Sequence, residues 1–538
     1  LAYARAKRAV TPVNKGLLGV SFVRFFIPFS QVIEKGNNDD FSCKYSIINK
    51  TMKRVLIVFC AIFFALAGQA QTSSWTDPTT HVKFNFKVID PINKYVMMES
   101  SEQVSPNPTN VVTIPGTVPY SSDIYKVTEL GSFTISFGQG TFRKKVVISE
   151  NIRVLHQNAI SNDVMVAEEI VFPLSLEVLE MQACNNLQSL KYVDLSNTHV
   201  RYIGDGAFYG CGYMGGSLSY IKFPKTLRRI GKGLFQEGNT NNIKSLVLPE
   251  KLDTIDVNAF MSMSPLDEIT FQNPVPALIY NGNVPSTLNE SPIDPNTAWN
   301  RPGVNNTVYV PIDATKAYQT TPAWSNQSAK YREKVSFGTT GYTSFYLENE
   351  NFLIPTGCTA YIITGVTPSG SITNPDQAVV KAFTAGKIIP KQTGFILQGT
   401  PNSTVVYQAN VTGTEESVAG NLLIGTATEQ QFSATGKRFY VLANGDQGMG
   451  FYKQGTRSGM SIKLKAHRAG LRLDESVARA KSIVFDFDAA REEAETTGIQ
   501  NVPANGEQQD DIVYDLQGRR VTNPTHGIYI INGKKVIK

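Results

Sequence analysis

Hydrophobic and polar positions between residues 148 and 271 recur with a period longer than any single helix or strand. Short alternating runs repeat, most of them closed by Pro or Ser: Ile148-Ser149, Ile170 to Pro173, Val193 to Ser196, Ile221 to Pro224, Leu246 to Pro249 and Ile269 to Phe271. Anchored on residues 148, 172, 195, 223, 248 and 271, the spacings are 24, 23, 28, 25 and 23. A second apolar pair follows most runs, at Leu176/Leu179, Val200/Ile203, Leu227/Ile230 and Leu252/Ile255. A third recurs at Ala207-Phe208, Leu234-Phe235 and Ala259-Phe260. A turn of this length cannot bury its own apolar side chains, so successive turns must stack around one shared core. Strand alternation then sends Ile221 and Phe223 inward and Tyr220 and Lys222 outward. Phe208, Phe235 and Phe260 are expected to form an aromatic column inside.

Flanking segments read differently. In 75–104, Phe84, Phe86 and Val88 alternate, Asp90-Pro91-Ile92-Asn93 marks a turn and Tyr95 to Met98 answers, which predicts a capping β-hairpin over 72–105. Beyond 335, strand-like runs appear at 344–347, 359–364, 378–383, 394–397, 404–407, 438–442 and 482–487, separated by Gly, Pro and Asn. They predict an antiparallel β-sandwich-like module over 335–490. A polar linker is expected over 491–509, followed by a hairpin over 510–538. The fold class is therefore mainly β: a repeat solenoid over 106–330, then the module.

The runs from Ile203 to Cys211 (IGDGAFYGC) and from Leu227 to Phe235 (LRRIGKGLF) resemble leucine-rich repeats of the BspA-like type. Val112 to Pro115 and Tyr125 to Leu130 are similar to that family's lead-in turn; Val308 to Pro311, Ala317-Tyr318 and Trp324 are similar to its closing turn. The resemblance covers 106–330 and departs at 277–305, a Pro/Asn-rich insertion. It implies a right-handed solenoid, exposure on or beyond the surface of a Gram-negative bacterium, and adhesion to host matrix proteins, glycans or other cells. Residues 389–397 resemble a β-module found behind such repeats. The tail from Val513 onward resembles the sorting signals of type IX secretion cargo, though shorter than a full sorting domain, and reads equally as an edge hairpin.

Residues 52–71 (MKRVLIVFCAIFFALAGQAQ) join a basic start, an apolar run of 12 and small residues at Gly68 and Ala70, the pattern of a secretory signal peptide. The run is too short for an ordinary transmembrane helix. Met52 is then the natural start, and 1–51 reads as sequence upstream of it. No integral membrane span is expected after cleavage.

Charge changes this picture little. Of 51 Lys/Arg and 45 Asp/Glu, residues 1–71 hold 10 and 3, leaving 41 and 42 in the rest, so nothing calls for a nucleic acid partner. Only 18% of residues are charged, beside 29 Phe and 22 Tyr, as suits strands. Cysteines 184, 211 and 358 remain after cleavage, too few for a disulfide framework or metal cluster.

Catalytic signatures are absent: there is no HExxH, GxSxG or GxxxxGK[ST], and the five His are dispersed. No enzyme activity and no cofactor are expected. Asp486 and Asp488 would share a strand face, where Ca²⁺ or simple solvation would suit them. Asp253-Thr254-Ile255 fits a short O-glycan acceptor pattern and is equally explained by the repeat. The best candidate is a surface: Tyr192 and Tyr220 on adjacent outward rungs, flanked by Asp194 and Lys222, the composition of an interaction hot spot. Cross-strand stabilisation is the plain alternative. The expectation is thus an exported binding protein. A glycosidase-like hydrolase in 335–490, or a self-associating surface component, are its rivals.

Overall fold

A computed structural model describes residues 72–498, except 105–109, 133, 135–143, 162–166, 214–217, 262, 264–265, 283, 286–305 and 478–479, together with parts of 513–537. The expected signal peptide, the stretch before it, most of the 277–305 insertion and 499–509 lie outside the described residues.

The repeat builds two parallel ladders joined by turns. The first comprises Val111–Ile114, Lys145–Ile148 and Glu169–Val171, then Val193–Asp194 with Ile221–Lys222, then Ser245–Leu248, Glu268–Phe271 and Thr307–Tyr309. The second runs through Asp123–Leu130, Val154–Leu155, Val178–Leu179, Tyr202–Ile203, Arg229–Ile230, Thr254–Asp256 and Leu278–Asn281. It explains the second apolar pair of each repeat. Leu179, Ile203, Ile230 and Ile255 are fully buried, while Val178, Tyr202, Arg229 and Thr254 face outward.

Each coil turns at the same point. Asn158, Gln182, Gly206, Gly233 and Asn258 all adopt left-handed backbone, with φ between 52° and 60°. Gly206 and Gly233 take this conformation without the steric cost that a side chain adds. Gly204 serves a different need, since a Cβ there would lie 2.6 Å from the Glu180 and Met181 backbone of the preceding coil. Inside, Phe208 and Phe235 stack at 5.6 Å, Phe172 meets Phe208 edge-on at 6.5 Å, and Phe260 is buried in the next coil.

The ends of the core are covered. Strands Val82–Asp90 and Tyr95–Gln103 form the expected hairpin around Asp90, whose carboxylate accepts the Ile92 and Asn93 N–H groups. Thr72–Thr76 adds an outer strand, and Tyr95–Gln103 pairs in parallel with Asp123–Leu130, carrying the second ladder into the cap. At the other end Phe271, Tyr318, Trp324 and Tyr331 pack together. The polar atoms of the last three reach the carbonyls of Asn273, Ala277 and Trp324.

The first ladder does not stop at residue 330. Thr307–Tyr309 pairs in parallel with Tyr331–Ser336, which pairs antiparallel with Thr404–Ala409. One seven-stranded sheet thus runs from the repeats into the β-rich module, across the boundary expected between 330 and 335. The module's other large sheet has nine strands. It is mixed rather than purely antiparallel, because Asp376–Phe383 and Ser482–Val484 pair in parallel.

Two expectations are corrected. The strand expected to 487 ends at Val484, and Phe487–Gly498 is a helix, so 491–498 is not linker. Asp486 accepts the Ala489 N–H at 3.1 Å and starts that helix, whose Ala/Glu/Arg-rich sequence favours it. Asp486 and Asp488 therefore share no strand face, and Asp488 turns to Arg491 at 3.1 Å. In the tail, Ile528–Ile531 and Lys534–Ile537 form a hairpin that pairs with Val513–Tyr514.

Candidate interaction surface

Outward positions of the first ladder align across the coils because its strands pair in register. Lys145 lies opposite Glu169, Val147 opposite Val171, Asp194 opposite Lys222, and Ser245 opposite Glu268. Tyr192 and Tyr220 each stand just before their strand. The Tyr220 carbonyl accepts the Val193 N–H at 3.1 Å, which holds the two rungs together.

The four residues singled out from the sequence come together. Tyr192 and Tyr220 stack with ring centroids 5.0 Å apart and 13° between planes. The Lys222 Nζ lies 4.9 Å from the Tyr220 centroid and 3.4 Å from Asp194 Oδ2. Asp194 also accepts the N–H and hydroxyl of Ser196. Partial burial of Asp194 works against its charge, but Ser196 and Lys222 outweigh it and hold the carboxyl below its ordinary range. Burial, with the hydrogen-bonded Glu169 carboxylate beside it, pushes the Tyr192 hydroxyl up to about 12.

Further outward positions, among them Glu169, Val171 and Val247, extend this surface. Glu169 pairs with Lys145 at 3.1 Å, and Glu168 bridges Lys144 and Lys191 at 3.7 and 2.5 Å. Val171 and Val247 are exposed on either side of the Asp194–Lys222 pair. Further along, Lys334 sits 3.3 Å from the Tyr309 centroid. Outward alternation at Thr307–Tyr309, the same signal that marked Tyr192 and Tyr220, would have found Tyr309. The surface is charge-balanced, with small apolar patches around a fixed aromatic pair.

Two buried cysteines and a buried carboxyl pair are tied up internally. Cys184 and Cys211 are fully buried; desolvation raises both thiols, that of Cys211 to about 12. Glu333 and Glu350, a close carboxyl pair at the junction with the module, are likewise buried. Glu333 accepts the N–H groups of Asp313 and Thr315 and the hydroxyls of Thr315 and Tyr407.

Comparison with known proteins bears on the repeats. Residues 179–281 match the BspA type leucine rich repeat region in six copies, and this region is of that type. No curated protein matches the chain. Among solved structures, a leucine-rich repeat protein from Bacteroides ovatus is similar at 21% identity, covering 35% of this chain and 53% of that one, with a TM-score of 0.25. A leucine rich cell surface protein from Faecalibacterium prausnitzii is similar at 18% identity, covering 39% and 57%, with a TM-score of 0.28. A leucine rich repeat protein from T. pallidum shares 17% identity over 36% and 70%, with a TM-score of 0.23. The chain spans about half the length of the first two. Among the described residues, no helix is long and apolar enough to cross a membrane.

Proposed function

We propose that this is an exported, non-enzymatic surface protein that binds a protein partner through the outward face of its first ladder, in the manner of an adhesin. The observation that carries this reading is the Tyr192–Tyr220 stack, held in place by Glu169, Asp194 and Lys222 on an open sheet face. Such a pair is already ordered, so a partner loses little side-chain entropy in using it. Interface hot spots favour Tyr anchors of this kind, with charges around them. One face of each ring is taken up by the other ring, and Lys222 lies over Tyr220. That leaves chiefly edges, hydroxyls and a single outer ring face, ringed by charges, a mixed surface that suits a protein partner.

A hydrolase in the module has less support. Its close carboxyl pair, Glu333 and Glu350, is sealed from solvent and engaged with backbone N–H groups. The test is an array of host matrix proteins and glycans probed with the full chain and with Tyr192→Ala/Tyr220→Ala. Capture by a protein spot that the double variant loses, with its melting temperature kept, supports the reading. Capture that the variant retains would remove this surface from the account.

A further inference from the structure

A second candidate site lies in the module, far along the chain from the tyrosine pair and independent of it. The nine-stranded sheet rolls until its first strand, Tyr342–Phe345, meets the strand Arg468–Asp474 near its other edge. Arg468 Nη1 donates to the Thr343 hydroxyl and to the Ser344 carbonyl, and the Ala469 N–H reaches the Ser344 hydroxyl at 3.3 Å. Over this seam opens a cavity of about 420 Å³, within the range of small-ligand sites.

Its lining is lopsided in charge. Lys463, Lys465 and Arg468 all line it, and no carboxylate does. Lys463 is engaged by Glu429 at 2.5 Å. Glu429 also attracts Lys465 at longer range, but among the described residues no carboxylate lies within ion-pair distance of Lys465 or Arg468. Burial alone acts on the Arg468 guanidinium, lowering its proton affinity with nothing to offset it. A clamp between two strands needs only neutral donors. An arginine sunk here with neutral acceptors keeps a charge that the protein leaves uncompensated, which is costly unless something else supplies the anion.

The rest of the lining is of two kinds. Thr340, Thr343, Ser344 and Asn444 offer hydroxyls and an amide, while Tyr342, Leu442 and Met449 offer apolar surface. Tyr342 is held there by its stack on Phe487, at 4.6 Å. Hydroxyl-bonding groups beside an apolar wall, with cations at one side, match a sugar ring that carries a carboxylate. We propose that this cavity binds an acidic saccharide unit of the uronic acid class. Its carboxylate pairs with Arg468 and Lys465, and its hydroxyls meet Thr340, Thr343 and Asn444. This makes the module a second recognition site beside the solenoid, directed at a different kind of ligand.

The test is calorimetric titration of the full chain with glucuronate, with glucose, and with a short glutamate peptide. Glucuronate is expected to bind in a salt-sensitive way and at least roughly tenfold more tightly than glucose, as charge-assisted pairing implies. Lys465→Ala, an exposed change with no structural duty, is expected to weaken glucuronate by about tenfold at unchanged melting temperature. Arg468→Gln removes the guanidinium charge and is expected to abolish binding. Equal affinity for glucose, no heat at millimolar glucuronate, or insensitivity to Lys465→Ala would overturn the assignment. Tighter binding of the peptide, lost in the same variants, would overturn the saccharide and leave only an anion site.

Discussion

Phe235 fills the column between Phe208 and the next coil with no exposed surface. Phe235→Ala is expected to cost about 3–5 kcal/mol through the cavity it leaves, measured by denaturant unfolding. A loss below roughly 1 kcal/mol would deny that burial. His156 offers a different residue-scale test. Its Nε2 lies 2.6 Å from Glu129 and its Nδ1 3.1 Å from Glu180, so one ring ties three successive coils. The Glu129 hydrogen bond, chiefly, raises its proton affinity above the ordinary 6.5, against its partial burial. The protonated ring therefore contributes stability in full below about pH 6.5, and that contribution fades as pH rises through the elevated value. His156→Asn is expected to remove this part of the pH dependence; an unchanged slope across that window would contradict it. At this scale the sequence was informative wherever a residue repeats. Tyr192 and Tyr220 could be placed side by side from alternation and period alone. His156 could not, because its partners are fixed by the second ladder, whose two-residue strands are too short to show alternation.

At the scale of elements, the 23–28-residue period made the coils legible, since stacking is the one way such units share a core. The helix Phe487–Gly498 was hidden. It buries little beyond Phe487 and Ala490, so its polar remainder looks like linker. The strands Leu423–Thr426, Gly448–Tyr452 and Ser461–Leu464 were missed too. Glycines and loop-like neighbours break their patterns, and only their partners in the sheet define them. The buried pair Glu333 and Glu350 joins elements from both halves. Glu350 takes the Lys316 N–H at 2.7 Å, yet its Oε1 has no partner unless it carries a proton towards Glu333. Burial, and then the Glu333 carboxylate, push Glu350 up to about 10. Its folded form therefore keeps a proton that the unfolded chain releases near 4.5, so its contribution to stability is full below that pH and declines as pH rises towards 10. Glu350→Gln is expected to flatten this decline and keep the fold. Glu333→Ala, which strands several buried donors, is expected to cost at least about 3 kcal/mol. Parallel stability curves for wild type and Glu350→Gln between pH 5 and pH 9 would refute the shared proton.

For the whole molecule, the decisive feature is one sheet that passes from the repeats into the module through Tyr331–Ser336. The sequence suggested a boundary there because the periodicity ends, but hydrogen bonding continues after the pattern stops. Cutting the chain after residue 330 would strip Thr307–Tyr309 of its neighbour and bare a sheet edge, which invites edge-to-edge association. The truncated piece is expected to aggregate or melt well below the full chain; a soluble monomer of equal melting temperature would contradict the continuity. The two proposed sites lie apart on the same molecule, the ladder surface and the cationic cavity sharing no residue. The most direct measurement takes the strongest protein ligand from the matrix array and titrates it against the full chain, Tyr192→Ala/Tyr220→Ala and Lys465→Ala. The account predicts a loss of at least about tenfold for the tyrosine variant, in keeping with the loss of interface anchors, and none for Lys465→Ala. Full affinity in the tyrosine variant, or a loss confined to Lys465→Ala, would contradict the claim that the solenoid face is where the partner sits.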